Sequence, residues 1–296
     1  MKFNKWVKGQ KLHGLEELTL NNMVSDPTFL AERITYHTFR ALGLPAPRAS
    51  AARVAINGED YGLYANIETP DENFVERAFG KKAVSLYEVN WGSSWLPSGG
   101  GDSGFEIEIA APGAPVGAKP DVDRLFEAVA AAKDETLLAD LAKTLDTEQW
   151  LRFSAAEAVT GHYDGYAFGA FGSHNYFMVG DTDGRFSLSP WSADLSLSDR
   201  AGVPDSANPR PNVVLARCKN GETCWSAYRK AVAAALKVYE GLDLVDLARK
   251  WHAQVDALVR SDPKRTKSIR YYESETEILY RWLEARPGVV RGQLGL

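Results

Sequence analysis

Gly161-His162-Tyr163-Asp164-Gly165, then Ser173-His174-Asn175-Tyr176-Phe177, then Pro190-Trp191-Ser192-Ala193-Asp194: the reading of the whole chain turns on these three runs. The first sets an Asp between a His-Tyr pair and a Gly that lets the backbone turn closely. The second opens an aromatic strand on an Asn, and the third closes the next strand on an Asp. Carboxylate and amide oxygens are what hard divalent cations take as ligands. Phosphoryl transfer needs one carboxylate to orient the acceptor hydroxyl and further oxygen ligands to hold metal on the phosphates. The order Asp, Asn, Asp therefore points to Asp164 in the base role and to Asn175 and Asp194 as metal ligands. Taken singly, each residue also suits an ordinary turn or cap. Their order within one loop and hairpin is what argues for chemistry.

Working outward, Gly180-Asp181-Thr182-Asp183-Gly184 is the turn of that hairpin. A helix opens before the loop at Asp146, with Gln149 three residues on as a capping box, and it carries Trp150, Leu151, Ala155 and Val159. Residues 1–24 read as strand material. A helix is expected over 26–42, capped by Ser25 or Asp26, with Pro27 in its first turn and Leu30, Ile34, Thr38 and Leu42 facing inward. Arg53-Val54-Ala55-Ile56 and Gly62-Leu63-Tyr64-Ala65-Asn66-Ile67 flank Asn57-Gly58-Glu59, a hairpin signal because Asn-Gly suits the positive backbone angles of a tight turn. A short helix follows at 72–79. Residues 83–111 are Gly-, Ser- and Trp-rich and hold two short strands, 85–88 and 105–109. Val122, Leu125, Phe126 and Val129 recur at helical spacing. Residues 198–212 are polar with three prolines and read as a long functional loop. Three helices finish the chain near 223–239, 243–260 and 272–285. The expected organisation is a small α+β lobe over 1–70, a connector near 66–72, and a larger helical lobe over 71–296 carrying a single β-hairpin.

Composition bounds the function. The 296 residues are 45% hydrophobic and 25% charged, an ordinary globular balance. The net charge of -5 argues against a dedicated nucleic-acid binder. No apolar run approaches the roughly 20 residues a membrane-spanning helix needs. No basic-then-apolar signal segment opens the sequence, which fits a cytosolic protein or a chain that starts inside a longer precursor. Cys218 and Cys224 have no Cys or His cluster around them for zinc, so a local disulfide in an oxidising compartment is expected. His162 and His174 read as hydrogen-bonders that shape loops. Absence of a Gly-x-Ser-x-Gly elbow weighs against an α/β-hydrolase.

Leu18-Thr19-Leu20-Asn21-Asn22-Met23, the helix end Arg40 to Arg48, and Asn57-Gly58-Glu59-Asp60-Tyr61-Gly62-Leu63-Tyr64 resemble the spore coat protein CotH kinase family. So do His162 to Tyr166, Asn175-Tyr176-Phe177, and Gly184-Arg185-Phe186 through Pro190-Trp191 to Asp194. The resemblance implies an α+β, bilobal, atypical protein-kinase-like fold with a small strand-rich N-lobe and a larger mainly helical C-lobe. It implies ATP with magnesium (or manganese or calcium), and phosphorylation of Ser or Thr on a secreted, cell-envelope or spore-coat protein. Asp164 matches the family's catalytic Asp, Asp194 its metal-binding Asp, and Asn175 the Asn heading its aromatic strand. In the small lobe, Glu32 or Arg33 is placed to reach phosphate, and Glu68 lies where an interlobe hinge touches adenine. Lys2 or Lys5 is available for phosphate, and each also suits a solvated surface. Three departures stand out: Ser192 where many members carry an acid, Glu88 where some carry Lys after Tyr, and no glycine-rich loop in residues 1–20. They keep open a second reading, a catalytically weak pseudokinase acting as an assembly module. A third is a calcium-stabilised carbohydrate- or surface-binding domain using Trp91-Gly92-Ser93-Ser94-Trp95.

Overall fold

Asn57 and Gly58 take φ of 53° and 83°, the left-handed pair that a two-residue hairpin turn demands. They join strands β2 (Ala49–Ile56) and β3 (Glu59–Ile67), and β1 (Thr19–Asn21) pairs on the other side of β3 to give the order β1-β3-β2. The computed structural model describes residues 1–80, 82–91, 93–97, 104–168, 172–198 and 212–296. Residues 1–18 form no regular strand. Their backbone folds back on itself through isolated bridges, Lys2 with Glu17 and Leu12 with Leu15.

Helix α1 spans Ala31–Ala41, starting later than the expected residue 26. Phe29 has φ of 62°, which no helix can include, so residues 26–30 make a separate turn. Asp26 still does the capping: its carboxylate accepts from the Ala31 amide at 2.7 Å and from the amide and hydroxyl of Thr28 at 2.8 and 2.6 Å. Ile34 and Phe39 are fully buried against the sheet and the helices beyond it.

The second sheet departs from the expected lone hairpin. Strands β4 (Ala83–Val89) and β5 (Phe105–Ile109) join β6 (Tyr176–Asp181) and β7 (Phe186–Pro190) in one antiparallel sheet of order β5-β4-β6-β7. The reason is burial: Leu86, Tyr87 and Val89 have no exposed surface, and β6 gives β4 its hydrogen-bonding partner. Helix α2 (Glu72–Phe79) lies between the sheets in sequence, capped by Asp71. Helices α3 (Pro120–Ala131), α4 (Leu137–Leu141) and α5 (Thr147–Thr160) precede the loop carrying Asp164, and α6 (Val213–Asn220), α7 (Glu222–Gly241), α8 (Leu244–Arg260) and α9 (Ile269–Leu294) follow it. α4 and α6 were not expected from the sequence. Most of the 198–212 loop lies outside the described residues. Cys218 and Cys224 are bonded, tying the end of α6 to the first turn of α7.

α9 runs well past residue 285, where the sequence places its end, and holds Pro287 in its interior. A proline inside a helix orphans the carbonyl four residues before it. Here that carbonyl, on Leu283, accepts the Tyr239 hydroxyl from α7 at 3.1 Å. The neighbouring Arg286, 2% exposed, sends its guanidinium to the Ala158 carbonyl in the last turn of α5. The first sheet is also tied to the segment after α8. Asp262, after α8, accepts the Leu63 amide of β3 at 3.0 Å, and Lys264 pairs with Glu59 at 2.8 Å. Gly62 (φ 91°) permits this: a Cβ there would collide with the Asp262 carboxylate.

Candidate active site

Helix α5 ends in Gly161 with φ of 56°, a left-handed cap that turns the chain into the loop carrying Asp164. Behind the loop stands an aromatic wall. The Trp150 indole donates to the Tyr166 hydroxyl at 2.5 Å, and Trp95 donates to the Tyr176 hydroxyl at 2.6 Å, all four rings being buried. Trp95 is thus a plug in the core. Trp91 is 60% exposed and stacks on His174 with ring centres 4.3 Å apart. Close packing on the core side fixes the loop backbone and leaves Asp164 at its outer edge, 7% exposed.

The structure brings Asp164, Asn175 and Asp194 into one neighbourhood. The Asn175 side-chain amide donates to Asp164 Oδ2 at 2.9 Å. That use of its nitrogen leaves the amide oxygen for another partner. Asp164 Oδ1 is buried and accepts no hydrogen bond among the described residues. Asn175 (φ 57°) and Ser192 (φ 45°) both sit in the left-handed region, at the start of β6 and the end of β7, and the Asn175 carbonyl accepts the Trp191 amide at 3.0 Å. Non-glycine residues held this way cost of order 1–3 kcal/mol and cluster at functional sites. Ser192 caps a single 3-10 turn, Ala193–Leu195, which carries Asp194.

Electrostatics mark the site further. Burial, then the charge of Asp164, push the Asp194 carboxyl up to about 6. Burial, then Asp194, push Glu32 up to about 8. Glu32, 1% exposed on α1, accepts from the Tyr36 hydroxyl at 3.0 Å and the Asn21 amide at 3.2 Å. The Asn21 side chain offsets a little of the rise at Asp194. Asp26, itself raised by burial, adds repulsion at both Glu32 and Asp194. Crowded acids with raised affinities for protons are what a bound divalent cation relieves. The donor set is all oxygen, as magnesium, manganese or calcium requires. These residues fit such a cation.

Two openings meet at this segment. One of about 410 Å³ is lined by β1 residues, Glu32, Tyr64, Ile67, Trp191 and Ser192. Another of about 340 Å³ is lined by Asp26, Tyr163, Asp194, Leu197 and the α9 residues Tyr271 and Glu275 among others. Among the described residues no Lys or Arg lines the first opening. Lys2 pairs with Glu17 at 3.8 Å, and Lys5 lies over Trp6, so neither lines it.

Arg33 and Glu68 are not brought into this group. Neighbours on a helix point about 100° apart, so with Glu32 facing the acids, Arg33 turns to α8. There it stacks over Trp251 at 4.2 Å and donates to Gln254 at 2.9 Å. Glu68 holds Arg48 at 2.7 Å and Arg77 at 2.6 Å. Sequence reasoning gave no role to Asn21, Tyr36 or Glu157. Asn21 lies within the quoted Leu-Asn-Asn run, and Tyr36 sits four residues after Glu32 on the same helix face, which is the signal that could have found it.

A two-sheet α+β chain with an Asp, Asn and Asp gathered beside a cleft is kinase-like in class. The chain belongs to the CotH kinase family: the family model for CotH kinase protein matches residues 2–290. It is 20% identical over 297 residues to Inner spore coat protein H of Bacillus subtilis, covering 96% of this chain and 80% of that protein. It is 27% identical over 188 residues to Invasin CotH3 of Rhizopus delemar, covering 57% of this chain and 31% of the invasin. Among solved structures, a HipA, HipB and operator DNA complex from Shewanella oneidensis aligns with a TM-score of 0.40 at 14% identity, over 96% of this chain and 62% of that one. No described helix is long and apolar enough to cross a membrane.

Proposed function

We propose that this protein transfers the terminal phosphoryl group of ATP to Ser or Thr of a coat or cell-envelope protein, using a divalent cation. Residues 1–70 form the small lobe and 71–296 the larger one, with the nucleotide in the 410 Å³ opening between them. Asp164 accepts or orients the acceptor hydroxyl's proton through Oδ1, which accepts no hydrogen bond among the described residues. Asn175 and Asp194 hold magnesium or manganese, with Glu32 facing the same space. The cation, when bound, neutralises phosphate charge, a task no Lys or Arg lining that opening performs. The carrying observation is the Asp164–Asn175 hydrogen bond at 2.9 Å, which locks the base and a cation ligand into one unit beside Asp194.

The catalytically weak reading is favoured by one specific observation: Ser192, beside Asp194, contributes a carbonyl and no carboxylate. Incubating the protein with labelled ATP and magnesium or manganese, alongside Asp194→Ala, separates the two. Wild-type transfer that Asp194→Ala abolishes supports the kinase. Nucleotide binding without transfer supports the assembly module. Binding by neither protein sinks the kinase reading.

A further inference from the structure

Glu157, on the last turns of α5, is fully buried five residues before His162, also fully buried. Its Oε1 faces His162 Nδ1 at 2.8 Å, and its Oε2 accepts the Ala167 amide at 3.2 Å. The other ring nitrogen, Nε2, faces the Ser192 carbonyl at 3.4 Å and Asp164 Oδ1 at 3.8 Å. Both ring nitrogens therefore face acceptors among the described residues. An imidazole satisfies two acceptors only when both nitrogens carry protons. Although burial opposes charge on the ring, Glu157, its hydrogen bond and Asp164 outweigh it and push His162 up to about 9. Gly165 closes the arrangement: a Cβ there would lie 2.5 Å from both Glu157 Oε2 and His162 Nδ1.

We propose that Glu157 is a positioning residue which, acting through His162, locks the Asp164 carboxylate and the Ser192 turn bearing Asp194 into one frame. This rests on the phosphoryl-transfer reading for its kinetic consequence and on geometry alone for its structural one. Without a carboxylate at 157 the ring keeps one proton, on Nε2, and the positive charge through which that nitrogen holds both the Ser192 carbonyl and Asp164 is lost.

Glu157→Gln isolates the effect, because the amide can accept from Ala167 and donate to a neutral Nδ1, preserving shape while removing charge. The variant is compared with wild type and His162→Gln by thermal melting, by nucleotide KM and kcat with manganese, and by ¹⁵N NMR of histidine-labelled and asparagine-labelled protein at pH 7.5. Glu157→Gln is expected to melt within a few degrees of wild type and to keep KM within about 3-fold. Its kcat falls about 10- to 100-fold, the loss typical of slight misplacement of a reacting group. The His162 ring changes from doubly to singly protonated, and the Asn175 side-chain amide resonance moves with Asp164. An unchanged kcat, or a ring that stays doubly protonated in Glu157→Gln, overturns the proposal. If wild type transfers no phosphate, the kinase reading has failed on its own. The Asn175 resonance then decides the positioning role, and an unmoved signal refutes it.

Discussion

Glu32→Gln in the chelator-treated protein is the sharpest probe of the acid cluster. In the folded chain Glu32 holds its proton up to about pH 8, against an ordinary value of 4.5. A carboxyl raised in this way favours folding in its protonated form, so its contribution is fully present below pH 4.5. It is lost progressively as pH rises toward 8. Each pH unit of that interval is about 1.4 kcal/mol. With Glu32 only 1% exposed, solvent screening takes little from the figure. The wild type is thus expected to lose about 4 kcal/mol by pH 8 relative to pH 4.5, roughly 1.5 of it between pH 6.5 and 8. Asp194, raised only to about 6, is mostly ionised by pH 6.5 and changes little across that last window. Gln keeps an acceptor for the Tyr36 hydroxyl and cannot ionise. The difference between the two proteins therefore cancels His162, whose proton affinity shapes both curves. Urea or thermal unfolding at pH 5, 6.5 and 8 reads the outcome. The two proteins should be close at pH 5, and Glu32→Gln should melt higher by about 8 °C at pH 8, taking ~2 °C per kcal/mol for a chain this long. Parallel curves, or a variant less stable at pH 8, would refute the picture of a crowded, proton-hungry cluster.

Three further outcomes follow from the packing. Gly165→Ala forces a methyl against Glu157 and His162 and should cost about 1–3 kcal/mol in unfolding free energy, read by denaturant titration. Tyr239→Phe leaves the Leu283 carbonyl orphaned and should cost about 1–3 kcal/mol; adding Pro287→Ala supplies an amide for that carbonyl and should recover much of the loss in a double-mutant cycle. Reducing the Cys218–Cys224 bond frees a short loop and should lower stability by about 2 kcal/mol, with a non-reducing peptide mass verifying the bond beforehand.

Local chemistry made much of this legible from the sequence. Asn57-Gly58 announces its hairpin, Asp146 announces its helix, and the apolar spacing of Val122 to Val129 gives α3, because each signal acts within a few residues. Long-range compensation was not legible. The pairing of β4 with β6 joins residues 83–89 to 176–181 across three helices, and nothing local reports it. The expected end at 285 falls short because the rescuer of Pro287, Tyr239, lies 48 positions earlier. Gln149 illustrates a mixed result: Asp146 does cap α5, yet the Gln149 side chain does not reach back to it and instead brackets the backbone of Leu188 at 2.7 and 3.0 Å. At the site, the order of Asp164, Asn175 and Asp194 was visible as a motif. Which of Glu32 and Arg33 faces the acids was not, since that depends on the rotation of α1 against β1 and the 3-10 turn.

The Asp262–Leu63 link has a bearing on how the chain is made. The hydrogen bond that finishes β3 beside Gly62 comes from a carboxylate 199 residues downstream, and Lys264 closes on Glu59 over a longer span. A ribosome delivers the first sheet long before it delivers α8. During synthesis that strand amide is left to water until the 199 residues that separate it from Asp262 have followed. An earlier-made strand is thereby completed by a later-made segment, and a product truncated after residue 260 would leave the Leu63 amide and Glu59 without these partners.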